Sequence, residues 1–151
     1  IIPKNMVVYL KKTDVRAKVP ERATSGSAGF DLFALLDKDL MVYPDQPVKI
    51  HTGIALSMPN NQMVGLIYPR SGLASKFGLI PSNCVGVIDS DYRGEIMVSL
   101  TNLSQTAYCL KPFERIAQLV FAPVILPELS ETDNLDDTER GAGGFGSTGQ
   151  Q

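Results

Sequence analysis

Apolar residues in this chain come in short, β-branched runs: Met6–Leu10, Val48–Met58, Met63–Tyr68, Glu95–Leu100 and Ile116–Ile125. Several alternate with polar residues, as in Val48-Lys49-Ile50-His51-Thr52. That two-residue period marks a strand with one buried face. Ten prolines are spread along the sequence, and proline inside a helix removes a hydrogen bond and clashes with the preceding turn. Only Ser71–Lys76 has the composition for a helical turn or two. Many short strands between frequent turns predict an all-β domain, a sandwich or barrel with at most one short helix.

The pattern changes after residue 127. Residues 128–139 hold six acidic side chains and no clear period, which reads as a linker. Beyond it, residues 140–149 are half glycine, with one cation (Arg140), one ring (Phe145) and two adjacent hydroxyls, Ser147 and Thr148. Fixing ten backbones costs on the order of 10–20 kcal/mol gross. So few apolar side chains cannot offset that by packing, so the tail is expected to close as a lid only over a bound ligand. A frayed terminus is the competing reading. The expected organisation is a β-body over 1–127 and an arm over 128–151, long enough to reach a neighbouring subunit. The spacing G-x-G-x-x-G occurs twice, at 141–146 and 144–149. It lacks the preceding strand and following helix of a dinucleotide site, and no lysine follows as a phosphate loop requires.

A length of 151 residues suits one domain with a real core, and the net charge is −2. Neither a basic surplus for nucleic acid nor a membrane-spanning run is present. The opening Ile1-Ile2-Pro3-Lys4 has no secretory pattern and no initiator Met, so a few preceding residues are expected. Cys84 and Cys109, with His51 the one histidine, do not make a usual zinc site. Two buried thiols in a reducing compartment are expected, hence a cytoplasmic protein without nucleic-acid or membrane partners.

Four segments carry candidate chemistry. Gly86-Val87-Ile88-Asp89-Ser90-Asp91-Tyr92-Arg93-Gly94 runs from an apolar strand through a polar turn. Such a hairpin exposes backbone donors and acceptors at its opening. Asp89 follows two apolar residues, so partial desolvation would raise its pKa toward that of a general base. A turn aspartate is the equal alternative there, and the favoured one for Asp91. Tyr68-Pro69-Arg70-Ser71-Gly72 offers a guanidinium fork and the start of a helical turn, both suited to phosphate; alternatively Ser71 is a capping serine beside a surface arginine. In Glu114-Arg115-Ile116-Ala117-Gln118 an amide interrupts an apolar strand and needs partners, either structural or ligand. Ser25-Gly26-Ser27-Ala28-Gly29-Phe30-Asp31 brings one carboxylate to a strand start. No acidic or histidine cluster forms a metal cage. Mg²⁺ carried by substrate phosphates remains compatible with that.

Taken together, Ala28–Leu32, Pro69–Ala74, Gly86–Gly94, Arg115–Gln118 and Arg140–Gly149 resemble the five ordered motifs of the trimeric dUTP pyrophosphatases (dUTPases). The resemblance implies a β-clip jelly-roll homotrimer whose three active sites are each shared between subunits. It implies Mg²⁺-dependent hydrolysis of dUTP to dUMP and pyrophosphate, in nucleotide metabolism. By the family pattern Asp89 is the base that orients the attacking water. Asn83, Val87, Ile88, Asp89 and Met97 would hold uracil, and Tyr92 would pack under deoxyribose and exclude a 2′-hydroxyl. Arg70, Ser71, Gly72 and Gln118 would hold phosphates, with Asp31 reaching the metal through water only. Phe145 would cover the base, while Arg140, Gly146, Ser147 and Thr148 close on the nucleotide. The pattern departs mildly at Phe30 and Ala142, neither carrying chemistry. A dCTP deaminase of the same superfamily and a non-hydrolytic nucleotide-binding sandwich are the alternatives.

Overall fold

The computed structural model describes residues 6–146. The element order is β1 (Tyr9–Lys12), β2 (Phe30–Phe33), β3 (Leu40–Val42), β4 (Val48–His51), β5 (Ile54–Ser57), β6 (Met63–Tyr68), α1 (Ser71–Phe77), β7 (Leu79–Pro81), β8 (Gly86–Ile88), β9 (Met97–Asn102), β10 (Tyr108–Leu110) and β11 (Arg115–Pro123). The fold is all-β with one short helix: a jelly roll without a closed barrel. Four small sheets have the orders β1-β5, β10-β3, β2-β11-β6-β8 and β4-β9-β7. Every pairing between named strands is antiparallel.

Alternation sets which face is buried. In β6, Met63, Gly65 and Ile67 point inward, and in β9 Val98, Leu100 and Asn102 do so. The core gathers Leu32, Ile50, Ile54, Leu79, Ile96, Leu100, Leu110, Ile116 and Leu119, all essentially inaccessible. Each such side chain contributes about 1.5–3 kcal/mol through removal of apolar surface from water. One polar group sits at the centre. Asn102 donates to the Val42 and Thr106 carbonyls at 3.0 and 2.9 Å and accepts from the Ser104 amide at 2.9 Å, so its burial costs little.

Two features position the site. The β6 strand ends at Tyr68, just before Pro69, and α1 begins at once with Ser71, after an extended Arg70 that caps it through backbone only. Gly78 stops the helix in the left-handed conformation, its amide returning to Ala74, as a helix-ending glycine commonly does. The second feature is an irregularity between Arg115 and Ala117, where β11 slips relative to β2. Both Ile116 and Ala117 are buried there. A bulge of this kind changes which residues share a face.

Both cysteines depart from expectation. Cys84 and Cys109 are exposed, not buried: Cys84 lies in the loop before β8, and Cys109 on the outer face of the β10–β3 pair. Residues 124–146 contain no strand or helix. Among the described residues, no helix is long and apolar enough to cross a membrane.

Candidate active site

Two groups of residues stand out, one on each side of β6. The first is a corner where β2, β11 and β6 lie side by side. Gln118 pairs with Asp31 on one flank and with Tyr68 on the other. Asp31 is nine-tenths buried. One of its carboxylate oxygens accepts from Arg70 Nε at 3.0 Å, and the other lies 3.6 Å from Arg115 Nε. The Gln118 amide donates to the Pro69 carbonyl at 3.0 Å, fixing the carbonyl of the residue just before Arg70. Gln118 can sit this way because its neighbour is Gly29: a Cβ on Gly29 would lie 2.3 Å from Gln118 Oε1. The corner therefore presents two guanidinium groups and the first turn of α1 around one buried carboxylate, an arrangement suited to anionic oxygens.

The second group is an open cavity of about 300 Å³. Its walls include Asn83, Val87, Ile88, Asp89, Tyr92 and Met97, with Lys49, Glu95, Ile96 and Ser99. The turn closes by a bond from the Tyr92 amide to the Asp89 carbonyl, 3.1 Å. Val87 is exposed on the outer face of β8, leaving its neighbourhood open to a flat ligand. Asp89 is exposed, so the expected desolvation by Val87 and Ile88 does not occur within the chain: both precede it along the strand instead of enclosing it. A larger cleft of about 1030 Å³ lies elsewhere, between Arg22, Phe30, Met63 and Phe121, and no carboxylate or histidine lines it.

In the tail, Arg140 Nε donates to the Gly143 carbonyl at 2.7 Å, so the segment curls upon itself. Phe145 stands fully exposed with a positive φ of 53°, and Gly146 follows it. Neither Arg140 nor Phe145 touches the corner or the cavity. Ser147 and Thr148 lie outside the described residues.

The corner and the cavity are separate within one chain. Gly65 faces Ile88 and Tyr68 faces Gln118, so Asp89 falls about four residues further along β6 than the corner. That is roughly 13 Å at the rise of a strand. Among the described residues, no hydrogen bond or ion pair joins 86–97 to Asp31, Arg70 or Gln118.

Arg115 and Gly29 belong to the corner although the sequence gives neither a role there. Gln118 lies three positions after Arg115, an odd spacing that regular alternation would send to opposite faces; the bulge cancels that parity. For Gly29 the signal is its place beside Asp31 in a loop of small residues.

An antiparallel jelly roll carrying a cationic corner and a small polar cavity defines an enzyme-like scaffold for anionic, ring-bearing ligands. The family model for dUTPase matches residues 15–149, and the chain belongs to the dUTPase family. It is a hydrolase of nucleotide metabolism, a dUTP diphosphatase by family. Deoxyuridine 5′-triphosphate nucleotidohydrolase of Desulfitobacterium hafniense is 50% identical over 143 residues, covering 95% of this chain and 94% of that protein. The Acinetobacter baumannii protein of the same name is 47% identical over 150 residues, covering 97% and 100%. Among solved structures, a dUTPase mutant of Staphylococcus bacteriophage 80alpha with dUpNHpp superposes with TM-score 0.82 at 28% identity, over 95% of this chain and 99% of that one. A mutant dUTPase from phage phi11 of S. aureus, described with a structural Mg(II) ion, gives 0.75 at 25% identity, over 85% and 97%.

Proposed function

We propose that this chain hydrolyses dUTP to dUMP and pyrophosphate by in-line attack of water on the α-phosphorus, with Asp89 as general base. The observation that carries the reading is the exposed Asp89 carboxylate on a cavity shared with Asn83, Val87, Ile88, Tyr92 and Met97. Backbone groups of 87–89 and the Asn83 amide supply donors and acceptors for the uracil edge. The Tyr92 ring forms a wall beneath the sugar, and crowding by a 2′-hydroxyl there rejects ribose. Asp89 takes the proton of the attacking water as the new phosphorus–oxygen bond forms. The bond to the bridging oxygen breaks and pyrophosphate leaves with that electron pair. Positioning and charge neutralisation carry most of such a reaction, and Arg70, Ser71, Gly72 and Gln118 are the phosphate-facing groups.

Mg²⁺ fits this chain only as a passenger on the triphosphate. Among the described residues no three acidic, histidine or cysteine side chains cluster, and Asp31 is already bracketed by Arg70 and Arg115. When bound, the ion would neutralise phosphate charge, with Asp31 reaching it through water only.

The separation of Asp89 from the corner within one chain supports active sites assembled between subunits of a homotrimer, with the 128–151 arm closing over the nucleotide from the 1–127 body. Phe145 would then cover uracil, while Arg140, Gly146, Ser147 and Thr148 close on the rest.

Turnover of dUTP in heavy-oxygen water is the direct test. Label should enter dUMP and leave pyrophosphate unlabelled, and label in pyrophosphate would place the attack elsewhere. Asp89→Asn should lower kcat by at least about 10²-fold with KM little changed, as removal of a general base does. Unchanged turnover would remove Asp89 from the reaction. Mixing inactive Asp89→Asn and Arg70→Ala proteins through a denaturation–refolding cycle should restore activity if the two residues meet across subunits. No recovery would mean that each chain builds its own site.

A further inference from the structure

A steric filter discriminates only as far as the blocking group resists displacement. Tyr92 lies in an exposed turn, where a ring with two rotatable bonds could swing aside and admit the larger sugar. The structure shows what holds it. The ring lies across Gly94 so closely that a Cβ there would fall 2.5 Å from Tyr92 Oη, 2.6 Å from Cζ and 2.9 Å from Cε1. Ordinary carbon contacts need about 3.5–4.0 Å, so any side chain at 94 evicts the ring. The ring is the movable partner, since all three contacts are side-chain atoms. The Tyr92 hydroxyl then donates to the Glu95 carbonyl at 2.9 Å.

That carbonyl is itself held. Glu95 is half-buried, and its carboxylate meets His51 Nδ1 at 2.9 Å through one oxygen and accepts the Gly53 amide at 2.8 Å through the other. The next residue, Ile96, is buried and accepts from the Thr52 hydroxyl. The turn after Tyr92 is thereby fastened to 51–53, the end of β4 and its link to β5.

We propose that Gly94 and Glu95 form a seat that fixes the Tyr92 ring, making Gly94 a specificity-determining residue and Glu95 a positioning residue in the choice of deoxyribose over ribose. The proposal rests on the reading of Tyr92 as the sugar filter. A pre-positioned ring loses no rotational freedom when substrate arrives, and it cannot yield to a 2′-hydroxyl without giving up its bond to Glu95.

The test compares kcat/KM for dUTP and UTP in Gly94→Ala, Tyr92→Ala and the double variant. Gly94→Ala should raise the UTP:dUTP ratio about tenfold, the scale of one displaced hydrogen-bonded ring. In the Tyr92→Ala background, where no ring remains to evict, adding Gly94→Ala should shift the ratio less than about twofold, the double-mutant signature of action through a neighbour. A ratio unchanged by Gly94→Ala but relaxed by Tyr92→Ala overturns the seat alone. A ratio unchanged by Tyr92→Ala overturns the filter and the seat with it. Should Gly94→Ala fail to fold, the double variant should fold again. Failure of that rescue would place the constraint in the backbone and defeat the proposal. Tyr92→Phe should relax discrimination by a smaller factor, because only the bond to the Glu95 carbonyl is lost.

Discussion

Asp31 and Asp89 are both acids of the proposed site, and the fold surrounds them in opposite ways. Asp31 is buried at the meeting of β2 and β11, between Arg70 and Arg115. Asp89 stands exposed at the turn that follows β8; among the described residues its carboxylate has no hydrogen-bond or ion-pair partner. A carboxylate already satisfied by two guanidiniums can orient neighbours but has little capacity left for substrate chemistry. One that stands open can take up a water and a proton. The corner therefore reads as scaffold first and ligand contact second, while the proposed roles of the 89–92 turn and the tail call for substrate, and for other subunits, to complete them. Changes in the two regions should accordingly affect stability and activity in different proportions.

The sharpest separation should come from removing the arm. Deleting residues 140–151 leaves every strand and the helix described above intact, because among the described residues none of them extends beyond 123. Thermal unfolding of the deletion variant should match the parent within about a degree, while dUTP turnover falls to near background, as expected when a lid that excludes water and completes the site is lost. A truncated protein with full turnover would remove the tail from the mechanism, and one with a much lower melting temperature would make it part of the scaffold.

Asp31→Asn probes the corner and should lower both quantities. The change keeps the shape and removes the charge that holds Arg70 and Arg115 together. Loss of charge-assisted bonds to a buried group is worth about 1–3 kcal/mol, which for a chain of this size is a fall of roughly 2–12 °C in melting temperature. With Arg70 no longer held, KM for dUTP should rise by about tenfold, the equivalent of one such bond. A variant with unchanged melting temperature and lower activity would show that Asp31 acts on the ligand or its metal and not on the scaffold.

Gly29→Ala asks the same question more gently. The added methyl would overlap Gln118 Oε1 and turn the amide away from the Pro69 carbonyl. The expected result is a several-fold rise in KM, in keeping with the net worth of one neutral hydrogen bond, with kcat retained. A matching fall in kcat at unchanged KM would place Gln118 in the transition state instead.

The two regions were unequally legible in the sequence. The turn is local: β8, the polar turn and β9 are consecutive, and the structure gathers Asn83, Val87, Ile88, Asp89, Tyr92 and Met97 on one cavity, although the expected hairpin does not form, since β8 pairs with β6 and β9 with β4 and β7. The helix at Ser71 was likewise readable from composition. The corner is non-local. Arg115 reaches Asp31 only because β11 slips between Arg115 and Ala117, and no alternation rule reveals a bulge before the partner strand is known. Short strands such as β3, β7 and β10 carry three residues each, too few to show a period; pairing with longer neighbours creates them. The cysteines misled for a related reason. Their preference for burial is statistical, and Cys109 takes the outward position in β10 between two inward-facing neighbours.

The smallest effect concerns the approach to the corner, where Tyr108 donates to Glu114 immediately before Arg115. Burial, and then the hydrogen bond to Glu114, push the Tyr108 hydroxyl up to about 12. A tyrosine in the unfolded chain ionises near 10. Below that pH the phenol is neutral in both states and the favourable contact is fully present. Between about 10 and 12 the unfolded chain gives up its proton while the folded one keeps it, so folding stability falls as pH rises. The urea midpoint should therefore decline across that window, and Tyr108→Phe should remove this part of the decline while leaving dUTP turnover near neutral pH unchanged. Parallel curves for the two proteins from pH 10 to 12 would mean that the phenol is as wet in the native chain as in the unfolded one, and that the strand entering the corner is held without it.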